Sequence, residues 1–251
     1  ITSPPLILVL PHEPLHCAPH KSSDTLFTPQ YKQSKTQPQI IINNAPVPLD
    51  KEPKILGVTF DTHFSFSPHV KNITAKANSK LKVLKALAGS SWGHQKETML
   101  NTYKALIKPI LTYAAPVWFP NISQSNIKKL QTVQNTALKI CLGAHNKSSE
   151  SHLHAESKIL PVDNHLQLLF SQHLASTLRP NHPSHPLVTR PPGPRHQKET
   201  LQSRFLGQVS PFLTDGVLPP TSYKLTLSNF HTQFVQNSIA SLDPNPVLNV
   251  P

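Results

Sequence analysis

Ten lysines carry the most suggestive chemistry in this chain: Lys71, Lys76, Lys80, Lys82, Lys85, Lys104, Lys108, Lys128, Lys129 and Lys139. They fall in residues 67–142, which hold 11 Lys against one acid, Glu97, and net +10. Residues 1–66 net zero and residues 143–251 net +2, so this one segment holds nearly all of the +12. A cationic field that concentrated suits a polyanion, most simply nucleic acid. No arginine precedes Arg179. Lysine acts as a point charge and not as a bidentate fork, so such a surface would track a phosphate backbone without reading bases.

Other constellations point to less. His12, His16, Cys17 and His20 have metal-like spacing, but Pro14 and Pro19 break any helical presentation and no second ligand pair follows, so no metal site is expected. His152-Leu153-His154 with Glu156 lacks the HExxH arrangement, and the seven glycines are not clustered as a phosphate-cradling loop requires. There is no credible Ser/His/Asp or Cys/His catalytic set. Trp92, Tyr103, Tyr113 and Trp118 could stack on bases, yet at helical spacing beside Leu and Met they read as core. Two distant cysteines, Cys17 and Cys141, suit a reducing, intracellular compartment. The apolar start Ile1–Leu10 is too short to span a bilayer, contains Pro4-Pro5 and lacks a basic lead. No membrane partner is expected. The chain starts at Ile1 and its only methionine is Met99, which suggests a piece of a longer reading frame.

The lysines must be positioned by regular elements, and the apolar pattern supplies them. Residues 39–43 and 54–61 are β-branched, apolar runs that predict two strands of one hairpin with a long connection. Ser67-Pro68 opens a helix with a hydroxyl cap and an early proline. Val70, Ile73, Ala77, Leu81, Leu84 and Ala88 recur at helical steps as one apolar stripe, and Gly89 stops it. Lys71, Lys82 and Lys85 fall together on one flank of that stripe. A second helix is predicted over Gln95–Ile107, burying Met99, Leu100, Tyr103 and Leu106. Pro109 should interrupt it and Pro116 should end the segment beyond. A third runs from a Ser123 or Ser125 cap to Leu142, burying Ile127, Leu130, Val133, Ala137, Leu138 and Cys141, with Lys128 and Lys139 on the opposite face. Val162–Leu178 is a fourth. The prediction is a mainly α chain with a small β-hairpin, an α+β fold whose helices bundle. It divides into 1–66, a basic helical domain at 67–178, and a proline-rich, loosely ordered tail at 179–251 with 12 Pro in 73 residues.

Several phrases together resemble one family. They are Lys54-Ile55-Leu56-Gly57-Val58-Thr59-Phe60-Asp61, Ala88-Gly89-Ser90-Ser91-Trp92-Gly93, Lys104-Ala105-Leu106-Ile107-Lys108-Pro109-Ile110-Leu111-Thr112-Tyr113, Ala115-Pro116-Val117-Trp118, and Leu130–Ile140. In order and spacing they resemble the region after the catalytic motif in reverse transcriptases of jockey-like non-LTR (LINE-type) retrotransposons. The match covers roughly residues 20 to 178. The resemblance implies the end of a palm domain with a primer-grip hairpin at Ile55, Leu56, Gly57 and Val58, followed by a helical thumb. It also implies a template–primer duplex as partner, together with fingers, palm and endonuclease parts of a parent polyprotein, in a nuclear or cytoplasmic ribonucleoprotein.

By the same resemblance, His20-Lys21-Ser22-Ser23 matches a palm motif whose lysine protonates departing pyrophosphate, which makes Lys21 a candidate general acid. The intact enzyme would use Mg²⁺ and dNTPs, with paired carboxylates holding the metal. No Asp-Asp pair occurs anywhere in this chain. Ile1-Thr2-Ser3 looks like the residues that come directly after that pair in the family, but the next 17 residues are proline-broken where the family has a helix. The expectation is therefore a non-catalytic fragment of an RNA-directed DNA polymerase that grips duplex. The rival expectations are a non-enzymatic basic helical nucleic-acid-binding module or a degenerate pseudogene product.

Overall fold

The computed structural model describes residues 22–28, 40–42, 45–89, 95–179, 182–189 and 201–210. Lys21, the His12–His20 cluster, Trp92, the prolines before Pro29 and the segment 230–239 lie outside them. The chain forms two compact units, one from residues 1–73 with 121–126 and one from 74–120 with 127–251. As expected, the fold is mainly α with a little antiparallel β.

The strands of the first unit pair more locally than predicted. β1 (Ile41–Ile42) pairs with β2 (Ala45–Pro46), and β3 (Lys54–Ile55) with β4 (Val58–Thr59), in place of one hairpin joining the two runs. Short closures cost less chain entropy than a long one. The second closure is also made by its own turn: Leu56 at φ 46° and Gly57 at φ 87° form the doubly left-handed pair of a type I′ two-residue hairpin. Residues 22–28 are tied alongside by Asp24 N–H to the Pro48 carbonyl (2.9 Å), Asp50 N–H to the Asp24 carbonyl (2.8 Å) and Thr28 N–H to the Thr62 carbonyl (2.9 Å).

Asp61 then bends the chain into its first helix. Its carboxylate accepts from Ser65 N–H (3.1 Å) and Phe66 N–H (2.6 Å), while Phe64 and Phe66 take φ of 54° and 53°. Phe66 is thereby sunk to 1% exposure. Helix α1 (Ser67–Leu87) comes next. Ser67 is inside the helix, so the hydroxyl that accepts from its N–H is Ser65's, at 3.3 Å. Five of the six stripe residues are buried and Ala88 is partly so.

In the second unit, α2 (Lys96–Leu106) buries Met99, Leu100 and Tyr103. Leu106, predicted as core, is 37% exposed, and Ile107 is fully buried instead. On the helical path, which continues through Ile107, Ile107 falls nearer than Leu106 to the centre of the face made by Met99, Leu100 and Tyr103. The chain then breaks ahead of Pro109, and α3 (Lys108–Thr112) starts with the proline in its first turn. Pro116 likewise opens an element that it was expected to end. The chain stops at Tyr113, turns through Ala114 at φ 49°, and begins α4 (Ala115–Trp118) with Pro116 in the first turn, where a missing N–H costs nothing. Helix α5 (Gln124–Leu142) buries all six predicted residues. The Ser123 hydroxyl accepts from Asn126 N–H at 3.4 Å, and Gly143 ends the helix at φ 61°. After α6 (Glu150–Ser157), α7 (Val162–Thr177) packs against α4, α8 (His185–Thr189) and α9 (Leu201–Val209). Phe119 meets Phe170 edge-on at 6.4 Å between ring centres. Among the described residues, no helix is long and apolar enough to cross a membrane.

Leu84 is fully buried while its neighbour Val83 is 41% exposed. Leu84→Ala should cost about 2–5 kcal/mol of unfolding free energy, and Val83→Ala no more than about 0.5 kcal/mol, measured by denaturant titration. Equal effects would show that the stripe is not packed.

Candidate nucleic-acid interface

Helix α1 presents its lysines on two flanks. At about 100° per residue, Lys82 and Lys85 fall within about 40° of Lys71, whereas Lys76 and Lys80 lie about 140–180° round from it. All five are exposed. None of the five hydrogen-bonds or pairs with an acid among the described residues, where the ion pair formed is Lys96 with Glu156. Lys104, Lys128 and Lys129 are also exposed, and Lys108 is half-buried. Lys139 differs: its ammonium donates to the Asn146 carbonyl at 2.6 Å and satisfies the chain just beyond the end of α5. Its ammonium therefore already has an acceptor within the fold.

The hairpin residues separate by exposure. Val58 is buried, Ile55 is 50% exposed and Leu56 is 88% exposed. At φ 87° Gly57 is dictated by its own backbone. Of the aromatic residues read as core, Tyr103 and Trp118 are fully buried, but Tyr113 is 55% exposed. Tyr113 ends α3 in an extended conformation, where helical spacing no longer predicts which way a side chain faces. Its carbonyl accepts from Trp118 Nε1 at 2.8 Å, so the buried indole holds the turn that leaves the tyrosine outside.

Inside the second unit lies a polar junction that the apolar pattern did not reveal. Gln131 Nε2 is within hydrogen-bond distance of Gln134 Oε1 (3.0 Å), Asn135 Oδ1 (2.8 Å) and His154 Nε2 (2.9 Å). Its Oε1 accepts from Val162 N–H at 2.9 Å. Gln134, 2% exposed, donates to the Tyr103 hydroxyl (3.1 Å) and the Leu160 carbonyl (2.9 Å). His154, also 2% exposed, meets the Ile159 carbonyl through Nδ1 at 2.8 Å. For both histidine contacts to hold, Nδ1 carries the proton and Nε2 accepts. A signal was available: Gln134 falls between Leu130 and Ala137 on the buried stripe, and an amide there must find partners. Burial holds the His154 pKa below its ordinary value against opposing effects of the Ile159 carbonyl and Glu150. Burial also pushes the Tyr103 hydroxyl and the Cys141 thiol up to about 12.

Two curated proteins of Drosophila melanogaster match this chain. A probable RNA-directed DNA polymerase from transposon X-element is 28% identical over 142 residues, 57% of this chain and 15% of that protein. A probable RNA-directed DNA polymerase from transposon BS is 25% identical over 121 residues, 48% of this chain and 13% of that protein. Over about half of its length the chain is similar to part of these transposon RNA-directed DNA polymerases. It thus spans about one seventh of the relatives it matches. No family model and no solved structure matches it. Among the described residues this chain does not gather a donor set that fits Mg²⁺. It has no Asp-Asp pair in its sequence, and among the described residues no three His, Cys, Asp or Glu side chains gather where they could hold a metal ion.

The histidine of the junction gives a pH test. Its pKa is lowered on folding from 6.5. The unfolded chain therefore binds the extra proton first, and stability falls as pH drops through 6.5 towards the folded value. His154→Ala should cost about 1–3 kcal/mol at neutral pH by orphaning the Ile159 carbonyl and removing an acceptor from Gln131. The gap between parent and variant in thermal melts should narrow as pH falls below 6.5. A gap that stays constant from neutral to acid pH would show that His154 does not titrate this junction.

Proposed function

We propose that this chain is the palm-end and thumb portion of a jockey-like non-LTR retrotransposon reverse transcriptase, and that it grips template–primer duplex by its phosphates. The observation that carries the reading is the set of α1 lysines, exposed and without acid partners among the described residues, in a chain similar over about half of its length to part of these transposon polymerases. Charges held this way on a rigid helix cost little to present and are neutralised only by something arriving from outside. A thumb must hold any sequence, and point charges that contact phosphate carry no base information. The exposed apolar tip at Ile55-Leu56 suits contact with the primer end, and Lys21 remains a candidate general acid. The polymerising Mg²⁺ and dNTPs would be held by carboxylates elsewhere in the parent enzyme.

If four to six lysines each neutralise one phosphate, log K for duplex should fall with log salt at a slope of roughly −4 to −5. Replacing Lys71, Lys82 and Lys85 together by Gln should flatten that slope by up to about 3, equally for unrelated sequences, with an unchanged melting curve. Fluorescence anisotropy across a salt series reads this. An unchanged slope in the triple variant would reduce the face to solvated surface.

The purified chain should also fail to extend a primer on an RNA template, because it lacks the paired carboxylates that would hold the metal. Mg²⁺-dependent incorporation that survives purification controls would refute this.

A further inference from the structure

The lysines are not equivalent, and the break between α2 and α3 sets two of them apart. Lys104 and Lys108 stand one turn apart along a path that stays right-handed helical through Ile107 (φ −106°, ψ −48°). Ile107 N–H still reaches the Tyr103 carbonyl at 3.0 Å, and Leu111 N–H reaches the Ile107 carbonyl at 3.2 Å. Residues four apart on such a path are side-chain neighbours. The turn is anchored from below, because Ile107 and Leu111 are 0% and 1% exposed. Lys108 is half-buried beside that core, yet its ammonium makes no hydrogen bond and no ion pair among the described residues. The nearby cation makes this worse: its amine pKa is held below the ordinary value by burial first and by the Lys104 charge second. Two like charges brought together, one of them partly stripped of water and neither given a carboxylate, are an arrangement that an anion relieves.

We propose that Lys104 and Lys108 form one anion site that takes a single phosphate group, distinct from the dispersed charges of α1. Its physiological occupant would be a phosphodiester of the nucleic-acid backbone, an assignment that rests on the function proposed above. Two ammonium groups converging on one tetrahedral anion would fix a register point along the backbone. The α1 lysines, spread over two flanks, hold the duplex without fixing it.

The test uses the full chain and competitive lysine acetylation read by mass spectrometry. Only the free amine reacts, and a bound anion that raises the amine pKa by about one unit slows acetylation about tenfold. Inorganic phosphate, compared with chloride at equal ionic strength, should slow Lys104 and Lys108 and leave Lys76 and Lys128 unchanged. Duplex DNA should slow the same pair. The K104Q/K108Q double variant should flatten the salt slope by about 1, no more than either single variant, because one phosphate is released. Phosphate shielding without duplex binding would sustain the anion site and defeat the proposed function. Duplex binding that leaves Lys104 and Lys108 unshielded would overturn the site while leaving that function standing. Equal slowing of every lysine by phosphate, or slowing of none, would overturn it as well.

Discussion

The second unit depends on two amides placed where the sequence otherwise puts hydrocarbon. Gln131 and Gln134 sit one turn apart on α5, and between them they engage Tyr103 of α2, His154 of α6 and the backbone leading into α7. An unpartnered amide in that position would cost about 1–3 kcal/mol, which favours the arrangement in which these amides find their partners. Hydrophobic burial is non-directional and does not by itself single out one pairing of polar groups. The directional contacts make that choice and fix where α6 ends and α7 begins.

Given that frame, the surface chemistry is decided by the positions the frame leaves uncovered. Helix α1 spends its apolar stripe on burial, so its lysines have only the remaining circumference. Lys139 shows the alternative fate of a basic side chain, absorbed into closing a helix end. Lys96, paired with Glu156, shows another. The five lysines of α1 are ones for which the described residues offer no internal acceptor, and this selects candidates for binding better than a count of positive residues does.

Much of this was legible in the sequence, for identifiable reasons. Helical periodicity reports burial faithfully within a helix, so the stripe of α1 and the six buried positions of α5 were readable residue by residue. It fails where the helix stops. Tyr113 was assigned to the core on a period that ends with α3, and it emerged exposed; Leu106, at the edge of the α2 stripe, emerged exposed as well. The strand pairing misled for a related reason, because apolar runs show that strands exist without showing which partners they choose. The left-handed turn at Leu56-Gly57 made that choice locally. The lysine positions were legible as charges, but the half-burial of Lys108 arises from the packing of Ile107 and Leu111, which no single-sequence pattern encodes.

Cys141 has a consequence for how the motions of this unit can be watched. Its thiol is buried under Met99, whose carbonyl it meets at 3.4 Å, and burial holds the proton on sulfur up to about pH 12. Only the thiolate attacks an alkylating reagent, so the closed form is chemically silent at neutral pH. Modification must then wait for α5 to part from α2, and its rate becomes a clock for that opening. The sequence has one other cysteine, Cys17, so substituting it would leave a single built-in reporter on the seam where the buried amides do their holding.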